Sequence, residues 1–261
     1  LLTPEKAVAL LEHNTLNRPL SQIHVERIAR QIKGGKWKFN GDTIKVANTG
    51  DVLDGQHRLW AVIEARKPVD TIIVYNIERD AFATIDTLRR LRSGADVLAL
   101  SGVTGYRHLT ASALRFLILW QRGILEDFRD PKNRVENSDV EDAYANHPSI
   151  VQAVQRATKS RSIVNPGLLG FFYYVLTNRN SELAERMMDT IESPGGFAVS
   201  DPFFKLRNYF LSDHTRKKDP IISIALMIKA ANAAHREQKM QVLTWKHQGK
   251  VVEDFPVLDV G

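Results

Sequence analysis

The stretch Asp51–Glu64, DVLDGQHRLWAVIE, constrains this chain more than any other. Two apolar strand residues, Val52 and Leu53, run into Asp54-Gly55, and a helix opens immediately at Gln56-His57-Arg58. So short a passage from strand to helix needs the backbone freedom of glycine, which makes Gly55 the turn. Leu59, Val62 and Ile63, at i, i+3 and i+4, give the helix one apolar side to pack down, leaving the DGQHR end at the rim. First-turn N–H groups beside an imidazole and a guanidinium then form an anion site.

The flanking residues predict the elements that carry this turn. Residues 1–33 read as two helices joined by Asn14-Thr15-Leu16-Asn17-Arg18-Pro19; the second is capped by Ser21, striped by Val25, Ile28, Ala29 and Ile32, and stopped by Gly34-Gly35. Ile44 and Val46 alternate as in a half-buried strand, Ala47–Gly50 turns, and after Pro68 comes the β-rich run Thr71–Tyr75. Beyond Ser93-Gly94-Ala95-Asp96, a capping-box signature, the pattern turns almost wholly helical. Ser138-Asp139-Val140-Glu141 reads as another capping box, and Asn165-Pro166, Asp201-Pro202 and Asp219-Pro220 place a capping side chain before a first-turn proline. The expected class is α+β: a small mixed-sheet domain over residues 1–101, then a mainly helical domain over residues 102–261. The 124–137 loop is the expected flexible region, and the tail from Val242 reads as a hairpin or an extended arm.

Composition narrows the chemistry. A net charge of +6 and a pI of about 9.5 favour anionic partners such as nucleic acid or nucleotides. Without cysteine there is no disulfide, thiolate metal site or Cys nucleophile, which suits an intracellular protein. The eight histidines show no HExxH or other paired-ligand spacing, and neither GxxxxGK[ST] nor GxSxG occurs. No apolar run is long enough to span a membrane, and Pro4, Glu5 and Lys6 make the first residues an amphipathic helix rather than a signal peptide.

Residues 14–78, from LNRPLSQIHVERIARQIKGGKWKFNGDTIKV through DVLDGQHRLWAVIEARKPVDTIIVYNI, resemble the ParB/sulfiredoxin superfamily. In that family the box at DGQHR holds the phosphates of a nucleotide. The resemblance implies phosphate-binding roles for Gly55, Gln56, His57 and Arg58, with Asn17 and Arg18 on the loop near the nucleotide. Departures from the pattern are specific. Gln56 stands where sulfiredoxins carry their attacking cysteine, the consecutive arginines of CTP-switching ParB proteins are absent, and the helical half shows no ParB-type helix-turn-helix. The superfamily includes free serine kinases, so phosphoryl transfer to a hydroxyl lies within its range. DGQHR followed by IDTLRRLRSGADVLAL is also similar to phage-encoded ParB-like proteins, which implies a place in the host cytoplasm.

Phosphoryl transfer requires neutralised phosphate charge, usually a divalent metal, and a group to take the hydroxyl proton. Arg58 and His57 supply the first, and Asp54 or Asp86 would bind Mg²⁺ or act as base. Asp54 reads equally as an ordinary turn residue. Thr87 and Arg92 could add phosphate contacts. Arg89 and Arg90, with Lys205, Arg207, Arg216, Lys217 and Lys218, are the candidate nucleic-acid contacts, although runs of this kind also form plain solvated faces. The leading expectation is an ATP- or other NTP-dependent kinase acting on a hydroxyl, most concretely of a hydroxymethylated pyrimidine in phage DNA. The alternative is a ParB-like DNA-binding protein in which the nucleotide acts only as a switch; a nuclease has little support in the residues.

Overall fold

The computed structural model describes residues 1–12, 19–79, 93–193, 195–212, 218–246 and 252–261. Among them are eleven α-helices and one three-stranded mixed sheet, an α+β fold. The chain divides into two compact units: Leu1–Leu91 with Asp130–Lys132, and Arg92–Arg129 with Asn133–Gly261.

The first unit contains α1 (Pro4–Leu11), α2 (Gln22–Lys33), β1 (Thr43–Ala47), β2 (Val52–Asp54), α3 (Gln56–Ala65) and β3 (Ile72–Ile77). Strand β1 is central, antiparallel to β2 and parallel to β3, with β2 and α3 forming the crossover between the parallel pair. Both pairings slip. Lys45 faces Asp54 but Val46 faces Val52, which bulges Leu53 out of register; on the other side Asn76, at φ +61°, takes up the extra residue between Val74 and Ile77. The helical stripe of α2 divides as its spacing predicts: Val25, Ala29 and Ile32 enter a core with Ile44, Val46, Leu59 and Val62, and Ile28 is only partly covered. Leu2 bridges to Val69 through two backbone hydrogen bonds of 2.8 and 3.0 Å, fastening the residues before α1 to those beyond the end of α3.

The second unit contains α4 (Gly94–Leu100), α5 (Arg107–Gln121), α6 (Asn137–Asn146), α7 (Ile150–Ala157), α8 (Pro166–Thr177), α9 (Ser181–Glu192), α10 (Pro202–Leu211) and α11 (Pro220–His235). Helix α4 belongs here, through Leu98 in the core, whereas the sequence draws the boundary after it at Gly102. Caps read from sequence are present: Ser93 and Asp96 form a reciprocal box, and Asn165, Asp201 and Asp219 each accept two first-turn N–H bonds. The Ser138 box is displaced. Helix α6 begins two residues earlier, where Asp139 accepts from the Glu136 N–H at 3.0 Å, so Asp139 rather than Glu141 is the capping acid. In the tail the Glu253 N–H donates to the carbonyl of Lys246 at 2.7 Å, and residues 252–261 run on as an arm. Leu258 and Val260 are buried, and the carbonyls of Leu258 and Val257 accept from Arg179 and Asn232 at 2.7 Å each. No helix among the described residues is long and apolar enough to cross a membrane.

Helix α8 lies at the centre of this unit's core, and it packs against α7 at Gly170. A Cβ added there would stand 2.8 Å from Val154 Cα and 3.1 Å from its backbone nitrogen. Gly170→Ala gains about 1 kcal/mol of helix propensity, but forcing two backbones apart costs about 1–3 kcal/mol. The expected outcome is a net loss of stability, seen as a lower Tm by circular dichroism.

Candidate functional site

Gly55 sets the geometry of the site. It is at φ +99° as the N-cap of α3, and a Cβ there would lie 2.9 Å from Ile44 Cγ1, so glycine is required both by the backbone and by the strand beside it. On one side of the turn Asp54 ends β2; on the other Arg58 sits in the first turn of α3. Their side chains meet, the Asp54 Oδ2 accepting from Arg58 Nη2 at 3.2 Å. Lys45, opposite Asp54 across the β1–β2 pair, donates to the same oxygen at 3.1 Å. All three side chains are mostly buried, at 16–26% exposure. Arg58 Nη2 also donates to the Thr43 carbonyl at 2.8 Å. One guanidinium nitrogen is therefore fixed by two acceptors, while the other, Nη1, is buried and has no hydrogen-bond partner among the described residues.

An unpaired buried donor costs about 1–3 kcal/mol, and more for a charged group. Arg58 is among the residues that line a cleft of about 440 Å³, bounded by α2, the Lys36–Asp42 segment and the DGQHR turn. That volume falls in the range of about 300–1,000 Å³ typical of small-molecule sites. Arg58, Lys36, Lys38, His24 and His57 contribute its basic side chains, and Asp42 and Asp54 its carboxylates.

No protein-family profile, no curated protein and no solved structure matches this chain.

His57 lines the cleft but is buried, and its Nε2 accepts the Ser21 N–H at 3.1 Å. That bond makes Nε2 the acceptor, which places the neutral ring's proton on Nδ1. His57 thus ties α3 to the first turn of α2, where Ser21 occupies the cap position without capping through its hydroxyl. The rings of His57 and His24 meet edge to face at 5.0 Å between centroids. Gln56 is buried in the turn, and neither it nor Gly55 lines the cleft.

Asn17, Arg18, Asp86, Thr87, Arg89, Arg90, Arg92, Arg216 and Lys217 lie outside the described residues. In the second unit, Arg207 Nε donates to the Ile191 carbonyl at 3.0 Å, and Lys218 donates to Ser212 Oγ at 3.1 Å while lying 4.9 Å from the Tyr209 ring centre. Both cations, expected to follow a nucleic-acid backbone, are engaged at helix ends, Arg207 on the last turn of α9 and Lys218 on the C-cap of α10. Lys205 is half-buried, and the neighbouring rings of Phe203 and Phe210 are core. Mg²⁺ in nucleotide sites is commonly held by one or two carboxylates together with the phosphates themselves. The described residues contain no group of three or more potential His, Asp or Glu ligands, and Asp54 accepts from Lys45 and Arg58.

Lys45, Asp42 and the Lys36-Trp37-Lys38 run are not among the site residues that the sequence suggests. An aromatic residue between two lysines straight after a Gly-Gly helix stop is a visible signal; the pairing of Lys45 with Asp54 depends on strand register and is not. Gly55→Ala is expected to destabilise the protein by about 2–5 kcal/mol, from positive φ and overpacking together, measured by urea unfolding.

Proposed function

We propose that the cleft binds the phosphates of a nucleoside triphosphate, with Arg58 as the principal ligand. The observation that carries this reading is a guanidinium whose Nη2 is fixed by Asp54 and Thr43 and whose buried Nη1 has no hydrogen-bond partner among the described residues. A phosphate oxygen is a strong acceptor for such a group and satisfies it through a charge-assisted bond. Lys36 and Lys38 on the same cleft add positive charge, and the resemblance of residues 14–78 to ParB/sulfiredoxin proteins supports the same assignment. Asp54, neutralised by Lys45 and Arg58, acts here as the group that orients the arginine. The protein is then a nucleotide-binding module whose basic charge, +6, suits DNA as its partner.

A kinase is the second reading, favoured by the two carboxylates, Asp42 and Asp54, that share the cleft with the arginine. In it a hydroxyl oxygen attacks the γ-phosphorus, the bond to the nucleoside diphosphate breaks, and a carboxylate takes the hydroxyl proton. A hydroxymethylated pyrimidine of phage DNA, inside the infected host, is the acceptor this reading selects.

One experiment separates the two: incubation with γ-labelled ATP, Mg²⁺ and DNA with or without hydroxymethyl bases. Retained nucleotide without labelled DNA is expected of the module, and label in hydroxymethylated DNA of the kinase. Arg58→Ala is expected to weaken nucleotide binding about ten- to a hundred-fold, the worth of a hydrogen bond to a charged group; unchanged binding would refute the assignment. Asp54→Asn is expected to weaken binding too, through the arginine it holds. Full binding with lost transfer in Asp54→Asn would instead make it the base.

A further inference from the structure

The cleft has one wall of a different character. Ile28 and Trp37 are the two apolar side chains among those lining it, beside lysines, histidines, amides and carboxylates. Trp37 is half-buried against the core of the first unit, and its Nε1–H donates to the Asp70 carbonyl at 3.0 Å. Packing on one side and a hydrogen bond at the ring edge fix the indole in place, so it meets a ligand already oriented. Lys36 and Lys38 flank it in the chain and line the same cleft.

A bare polyphosphate gains nothing from an indole in its site, because it has no apolar surface to remove from water. A planar base does gain, through its π-face. We propose that Trp37 is the stacking platform for the nucleobase of the bound ligand, so that the cleft selects nucleotides over inorganic polyphosphate. This rests on the phosphate-binding reading of Arg58 and adds to it the second recognition element that a nucleotide requires. Because every base has a π-face, a platform of this kind accepts more than one base.

Titration calorimetry of the chain with ATP and with inorganic tripolyphosphate tests the proposal. The wild type is expected to prefer ATP by roughly ten-fold or more, the usual worth of one stacked base. Trp37→Ala should erase most of that preference and leave tripolyphosphate affinity unchanged, whereas Trp37→Phe, which keeps a ring, should retain it. Arg58→Ala should weaken both ligands alike. The platform is overturned if Trp37→Ala keeps the wild-type preference, or if Trp37→Ala and Trp37→Phe lose affinity equally for both ligands. Failure of the wild type to bind either ligand would refute the phosphate site itself, and the platform with it.

Discussion

One carboxylate oxygen, Asp54 Oδ2, holds two cations from two different elements, Lys45 on β1 and Arg58 on α3. Without it, two positive charges would face each other in a largely buried space; with it, they are drawn to one point at the end of β2. The same contact converts Arg58 from a flexible side chain into a fixed one, with a second acceptor in the Thr43 carbonyl. Desolvation makes such clusters costly to assemble and more costly to break in part. Its position beside a cleft is consistent with a task for the arginine beyond stability.

Everything near the cluster serves that alignment. Gly55 supplies the left-handed turn that brings Asp54 and Arg58 to the same side, and Ile44 packs so closely that no side chain could replace its hydrogen. His57, two residues further on, accepts from the first turn of α2 and so joins two walls of the cleft. The second unit follows a separate logic. Capped helices pack around α8 and α11, and the C-terminal arm covers part of that core through Leu258 and Val260.

Much of this is readable in the sequence because local chemistry decides it. Proline after an acidic or amide residue favours a helix start, and Asn165, Asp201 and Asp219 each make one. The DGQHR turn is equally plain, since a strand running into glycine and an amphipathic helix has few alternatives. What does not show in the sequence depends on contacts distant in the chain. Lys45 meets Asp54 only because Leu53 bulges, and a regular register would have paired it differently. His57 accepts the Ser21 N–H, 36 residues earlier, on its Nε2, a contact that the local sequence does not show. Two overlapping boxes are written at the start of helix α6, Glu136 with Asp139 and Ser138 with Glu141, and the helix uses the first.

The central claim is that Arg58 is held with one guanidinium nitrogen reserved for phosphate. Nitrogen-15 NMR of the arginine side chains tests it most directly, with the Arg58 signal assigned by its loss in Arg58→Lys. Adding a nucleoside triphosphate should shift that signal in a saturable way, and inorganic tripolyphosphate should move it in the same direction. An Arg58 signal that stays in place while nucleotide binding saturates would contradict the account.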